Sequence, residues 1–154
     1  MSEYSVTVTE YAAKRLIGIA GRTSMAKANI DCPALWQAFC PHFDKLGPQK
    51  GPGSYGASVM INTEEFVYWA TVEWAVEKPV PEGLDSLMVP AGPYARLTVL
   101  DLARVSEAYT FMYETWLSGR TEFSYAMDRP CLEFYPDGWK MNDPFEILMP
   151  LVKK

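Results

Sequence analysis

Apolar residues recur along this chain with two spacings: every second position in short β-branched runs, and every third or fourth position in two longer stretches. These are the periods of a strand with one buried face and of an amphipathic helix. The first segment, Tyr4 to Ala20, divides into two strand-like pieces, one with Val6 and Val8 and one with Leu16, Ile17 and Ile19, ended by Gly21. A helix is predicted next. Asp31 can cap it, Pro33 is tolerated in a first turn, and Leu35, Trp36, Phe39, Phe43 and Leu46 form its apolar stripe, with Pro41 bending or ending it. The Gly/Pro-rich stretch from Gly47 to Gly53 reads as a loop. Tyr55 to Ile61 and Phe66 to Val76, separated by Asn62 to Glu65, read as a hairpin, followed by the linker Lys78 to Gly83.

The second half repeats this order. A strand signal from Leu87 to Leu100 is broken by Pro90, Gly92 and Pro93. Asp101 can then cap a second helix with Val105, Tyr109, Met112 and Trp116 on one face, closed by Gly119. Phe123 to Tyr135 and Phe145 to Val152 follow as strands, separated by Pro136, Asp137 and Gly138. The expected fold is therefore α+β: two β-α-β-β units about a pseudo-twofold axis, with two helices against an antiparallel sheet and a ligand crevice where the halves meet.

With 154 residues, 49% of them hydrophobic, the chain suits one well-filled core, and a single domain over 1–154 is expected. A net charge of -5, with Lys and Arg scattered among more numerous acids, leaves no basic face for phosphates and argues against direct nucleic-acid binding. The same acidic field favours cations approaching a cleft, although it also serves solubility. Three cysteines, Cys32, Cys40 and Cys131, include no CxxC pair, and the chain opens on polar residues rather than a signal sequence, so a reducing cytoplasm is expected. No apolar run approaches the roughly 18 residues that would span a bilayer.

The single histidine, His42, has no triad around it and reads as surface or packing. Cys32, Cys40 and His42 do not make a metal site, since two-residue spacing on a helix points side chains apart. No cofactor, metal or catalytic set is expected. The informative feature is a carboxylate inside an apolar strand. In Pro130 to Pro136, Cys131, Glu133 and Tyr135 share one face and Leu132 and Phe134 the other, so Glu133 is a charge where burial is expected. Glu73 and Glu146 pose weaker versions of the same question. From the residues alone two readings stay open: Glu133 pairs with Arg96, Arg129 or a backbone donor or points outward from an edge strand, or it is kept for a ligand. Trp36, Tyr68, Trp69, Tyr109, Trp116 and Tyr135 are likewise either core or walls whose ring faces attract a weakly hydrated cation.

Four segments, LWQAF at Leu35 to Phe39, PAGPYA at Pro90 to Ala95, PCLEFY at Pro130 to Tyr135 and FEILMP at Phe145 to Pro150, resemble in order and spacing the GyrI-like domain, also called the AraC-type effector-binding domain. The resemblance runs from about Val6 to the C-terminus. It implies binding of hydrophobic cationic drugs and dyes, with Glu133 at the position of the ligand-contacting glutamate. It further suggests Trp36, Tyr55, Tyr68 and Tyr109 as walls, and Leu148 where drug-sensing relatives can carry a tyrosine. It implies a free-standing effector module without its own DNA-binding segment. Hydrolysis of electrophilic, cyclopropane-bearing genotoxins, a protein partner such as gyrase or a regulator, and a homodimer stay open as alternatives.

Overall fold

The structure is a computed structural model that describes residues 4–46, 53–136, 138–140 and 142–154, without the side chains of 43–45. Phe43 as a stripe residue, most of the Gly47 to Gly53 loop and Asp137 lie outside the described residues. Nine strands and two helical segments follow one another as β1 (Val6–Tyr11), β2 (Lys14–Ser24), α1 (Ala28–Leu46), β3 (Ser54–Met60), β4 (Glu65–Trp74), β5 (Asp85–Val89), β6 (Gly92–Val99), a helical stretch over 102–119 that contains α2 (Val105–Thr110), β7 (Phe123–Tyr125), β8 (Cys131–Tyr135) and β9 (Phe145–Lys153).

All strand pairs are antiparallel, in the order β1-β6-β9-β8-β3-β4-β2-β5, with β7 paired to the end of β9. The order reads the same from either end in terms of the two halves: β2-β4-β3 meets β8-β9-β6 at the β3–β8 pair, which is the pseudo-twofold seam. The outermost strands are exchanged. β1 from the first half pairs with β6 of the second, and β5 from the second half pairs with β2 of the first. The halves are thus tied by three strand pairings rather than one.

Several expected boundaries move. β2 continues past Gly21 to Ser24, because Gly21 only makes room for the Leu35 side chain, whose nearest atom would lie 3.1 Å from an added Cβ. α1 begins at Ala28, ahead of Asp31, whose carboxylate instead accepts the Thr23 hydroxyl at 2.7 Å. Neither Pro33 nor Pro41 stops the helix. Each removes the donor to the carbonyl four residues earlier, Asn29 and Gln37, and both of those residues are exposed, so water can take the freed acceptors. The run from Phe123 to Tyr135 is two strands, interrupted before buried Arg129 and Pro130. There the Arg129 guanidinium donates to the Pro93 carbonyl at 3.1 Å and to the Leu151 carbonyl.

The expected second helix is only partly α-helical. A 3-10 turn at Leu102–Arg104 precedes α2, the chain widens into a π-helical turn over Phe111–Trp116, and it ends in a 3-10 turn at Leu117–Gly119. Asp101 makes no side-chain cap bond. The widened turn breaks the four-residue repeat after Tyr109. Met112 is fully buried against β6 and β9, while Trp116 is half-buried over the same cluster with the Arg120 guanidinium 5.3 Å above its ring.

Both helices cover one face of the sheet. α1 packs Phe39 and Leu46 on Ile17, Ala70, Val72 and Trp74, and the second helix packs Ala108 and Met112 on Leu97, Val99, Ile147 and Met149. His42 stacks on Phe39 with centroids 6.4 Å apart, a packing role. A third cluster, Leu16, Ala57, Val89, Tyr94, Leu132 and Leu148, lies on the opposite face. Phe39 is fully buried beneath α1. Phe39→Ala should destabilise the protein by about 3–5 kcal/mol, read from its urea midpoint, because the α1 contact cannot close over a lost ring.

Candidate functional site

The seam places β8 in the middle of the sheet, between β9 and β3. Glu133 pairs with Gly56 on one side and Ile147 on the other, and its side chain rises on the helix-covered face. There its carboxylate accepts three phenol hydrogens. Tyr135 donates to Oε1 at 2.7 Å, Tyr109 of α2 donates to Oε2 at 2.7 Å, and Tyr68 of β4 donates to Oε1 at 3.3 Å. Trp36 of α1 completes the set by donating its Nε1–H to the Tyr68 oxygen at 3.0 Å. Neither Arg96, paired with Glu146, nor Arg129, bound to carbonyls, serves Glu133.

Five expected residues therefore meet at one carboxylate: Glu133, Trp36, Tyr68, Tyr109 and Tyr135. They come from both halves and both helices. Strand alternation brings Tyr68 to this face and sends its neighbour Trp69 to the other, where it joins the Leu16 and Leu148 cluster. Tyr55 is also on that opposite face. Its hydroxyl takes the Lys14 ammonium at 3.3 Å, and its ring lies 5.1 Å from that of Phe134. Leu148 pairs with Leu132, so the last-strand residue beside Glu133 is Ile147. Trp116 closes the π-helical turn and packs on the β6–β9 cluster. Glu73 and Glu146 are absent from the Glu133 cluster as well: Glu73 pairs with Leu16 and Glu146 with Phe134, which puts both on the Tyr55 face.

Other residues of the cluster were not among the expectations. Gly56 is buried directly across from Glu133, and a Cβ there would lie 2.2 Å from the Tyr68 hydroxyl oxygen and 3.1 Å from Glu133 Oε1. An isolated glycine inside a strand is the signal that marks such a close approach. Trp139, in the β8–β9 connection, sits with its ring centroid 4.7 Å from Tyr135, and no periodicity marks a residue in a turn. Tyr135 is further wedged between Phe145, stacked at 5.1 Å, and Trp36, edge-on at 5.8 Å. Cys32 lies one helical turn before Trp36, and burial and then the Glu133 charge push its thiol up to about 12.

Burial first and the Glu133 charge second hold the Tyr68, Tyr109 and Tyr135 hydroxyls well above the ordinary phenol range. The three groups are therefore protonated donors throughout the physiological range. In this arrangement the carboxylate is closed over by its own phenols, within a wall of aromatic faces. Such a group can attract a cation by charge while the rings around it supply apolar area and quadrupole contacts.

The GyrI-like small molecule binding domain family matches residues 4–152, and the chain belongs to that family. Among solved structures, SAV2435, determined with tetraphenylphosphonium bound, superposes with a TM-score of 0.75 at 15% identity, covering 96% of this chain and 94% of that one. An integron cassette protein from the mobile metagenome of Vibrio cholerae gives a TM-score of 0.71 at 16% identity, covering 98% of this chain and all of that one. The C-terminal domain of EcmrR gives 0.66 at 11% identity, with 99% and 100% covered. At these identities the likeness is one of fold. No curated protein matches the sequence. Among the described residues no helix is long and apolar enough to cross a membrane.

Gly56→Ala should force Tyr68 off the carboxylate and lower stability by about 1–3 kcal/mol in urea unfolding. The phenols set a second expectation. Because their folded pKa values are raised above 10.0, their contribution to stability is complete below pH 10 and is lost as pH rises from there toward the folded values. Thermal melts should hold steady with respect to these groups near neutrality and fall above pH 10. Tyr68, Tyr109 and Tyr135, together with Tyr55, Tyr94, Tyr113 and Tyr125, whose hydroxyls burial also raises, should resist ionisation in the ultraviolet titration, and Tyr68→Phe should remove one phenol from that resistant set.

Proposed function

We propose that the chain binds hydrophobic, cationic small molecules, such as dyes and quaternary ammonium or phosphonium compounds, as an effector- or drug-binding module, with Glu133 as the counter-charge. The single observation that carries this reading is a carboxylate on a central strand whose neighbours are tyrosine and tryptophan rings rather than a basic side chain. A carboxylate kept for structural pairing is ordinarily met by Arg or Lys. Here the negative charge is stabilised by neutral donors and, among the described residues, no basic side chain is bonded to it, so the cluster retains attraction for a positive ligand.

Membership of a small-molecule-binding family supports the reading, as does a fold neighbour that holds a phosphonium cation. The recognition chemistry is additive in kind. A unit-charge pair near 4 Å is worth about 4 kcal/mol at an effective dielectric near 20. Each ring face adds roughly 0.5–2 kcal/mol, and apolar burial adds about 25 cal/mol per Å². Offset by the loss of ligand freedom, these quantities reach micromolar affinity. A donor-free cation suits the site best, since phenols already take three of the roughly four lone-pair sites of the carboxylate and a primary ammonium, with three hydrogens to place, would have to displace them to replace its hydration.

Titration of tetraphenylphosphonium against wild type and Glu133→Gln tests the proposal. The amide keeps the shape and removes the charge, so affinity should fall at least about ten-fold. Equal affinity in the two proteins would sink the electrostatic role.

A further inference from the structure

We infer that Trp36 is a positioning residue that acts on Glu133 through Tyr68: its indole N–H fixes the direction of the Tyr68 hydroxyl and so makes that phenol a donor to the carboxylate. The inference rests on the cation-binding reading of the Glu133 site and assigns Trp36 a role beyond supplying a wall.

The argument is one of hydrogen-bond bookkeeping. An indole N–H can only donate, an ionised carboxylate can only accept, and a phenol has one hydrogen to give. Trp36 Nε1 lies 3.0 Å from the Tyr68 oxygen, which is 3.3 Å from Glu133 Oε1. With the indole hydrogen arriving from α1, the Tyr68 oxygen is occupied as an acceptor and its own hydrogen is turned toward Glu133. Without Trp36, the Tyr68 oxygen loses the donor on its acceptor side, and with it the constraint that fixes the direction of its own hydrogen. The 3.3 Å contact is the longest of the three at Glu133, so it is the one that depends most on an external constraint.

Two further features hold the relay in place. Tyr68 is 3% exposed, which denies its hydroxyl water as an alternative partner. Gly56 supplies the space into which that hydroxyl fits, 2.2 Å from where a Cβ would stand. The Trp36 ring itself is held edge-on to Tyr135 at 5.8 Å and tilted to Phe39 at 6.3 Å, so the N–H direction is set by packing. The relay also runs from the first half of the chain, α1 and β4, to the second half, β8. Tyr109, by contrast, reaches Glu133 from α2 in the same half.

The polarity of the relay makes a spectroscopic claim that packing alone does not. Trp36 makes no hydrogen bond to Glu133, yet the charge on Glu133 should polarise the Tyr68 hydroxyl and thereby the indole N–H. In 15N-labelled protein without ligand, Glu133→Gln should move the Trp36 indole N–H resonance in the same direction as Tyr68→Phe does. A resonance that moves with Tyr68→Phe and stays put in Glu133→Gln would overturn the relay.

The second arm is a mutant cycle read with tetraphenylphosphonium. Trp36→Phe retains a ring and removes the N–H, and should weaken binding about three- to ten-fold. Tyr68→Phe should weaken it comparably, and the double variant should be little weaker than either single one, because both break the same relay. Effects that multiply in full would show that the residues act as independent walls and would overturn the inference. If wild type bound no cation, the cation reading would fail, while the indole resonance, which needs no ligand, would still decide the relay.

Discussion

The structure turns on how a carboxylate is kept on a central strand with no basic partner among the described residues. Moving an ionised carboxyl from water into the half-buried space between two helices costs several kcal/mol, and the chain offsets this with three phenol hydrogens, each a charge-assisted bond of roughly 1.5–3 kcal/mol. Those donors come from three different elements, β4, α2 and β8 itself, so the carboxylate is satisfied only when the two halves are assembled about the β3–β8 pair. The exchanged strands β1 and β5 strengthen that assembly from the sheet edges.

A second constraint follows from the first. Three phenols can converge on one carboxylate, with an indole behind one of them, only if the strand opposite is free of side-chain volume, and Gly56 provides that. Further along this seam two more small residues, Ser58 and Cys131, pair across the same strands. The opposite face shows what happens with a tethered cation instead. There the Lys14 ammonium lies 4.7 Å from the Tyr55 ring centroid and 5.1 Å from that of Tyr11, so the aromatic faces are already engaged by a charge from the chain itself. The difference between the two faces lies in whether the cation is built in.

The duplicated architecture was legible from hydrophobic periodicity. So was the alternation that puts Cys131, Glu133 and Tyr135 on one side of β8 and Leu132 and Phe134 on the other, because period two is a local property of an extended backbone. The same rule applied to β4 would have separated Tyr68 from Trp69, but choosing which of the two faces Glu133 requires knowing the β3–β4 and β3–β8 registers together. Tyr55 and Leu148 lie outside the Glu133 cluster for that reason: a shift of one residue moves a side chain to the other face. Trp116 lies outside that cluster because a π-helical turn after Tyr109 cannot be read from three- and four-residue spacing.

By itself the sequence determined the α+β class, the repeat of strand, helix and hairpin, and the presence of a misplaced charge at Glu133 among apolar neighbours, since each depends on residues close along the chain. Only the tertiary structure decided that β1 and β5 change partners, that Gly56 stands opposite Glu133, and that phenols rather than arginines satisfy it. Apart from the Tyr135 bond, which spans two positions, these are contacts between residues 24 to 91 positions apart. Their energies depend on sheet register and on which face each helix covers, and no local pattern encodes either.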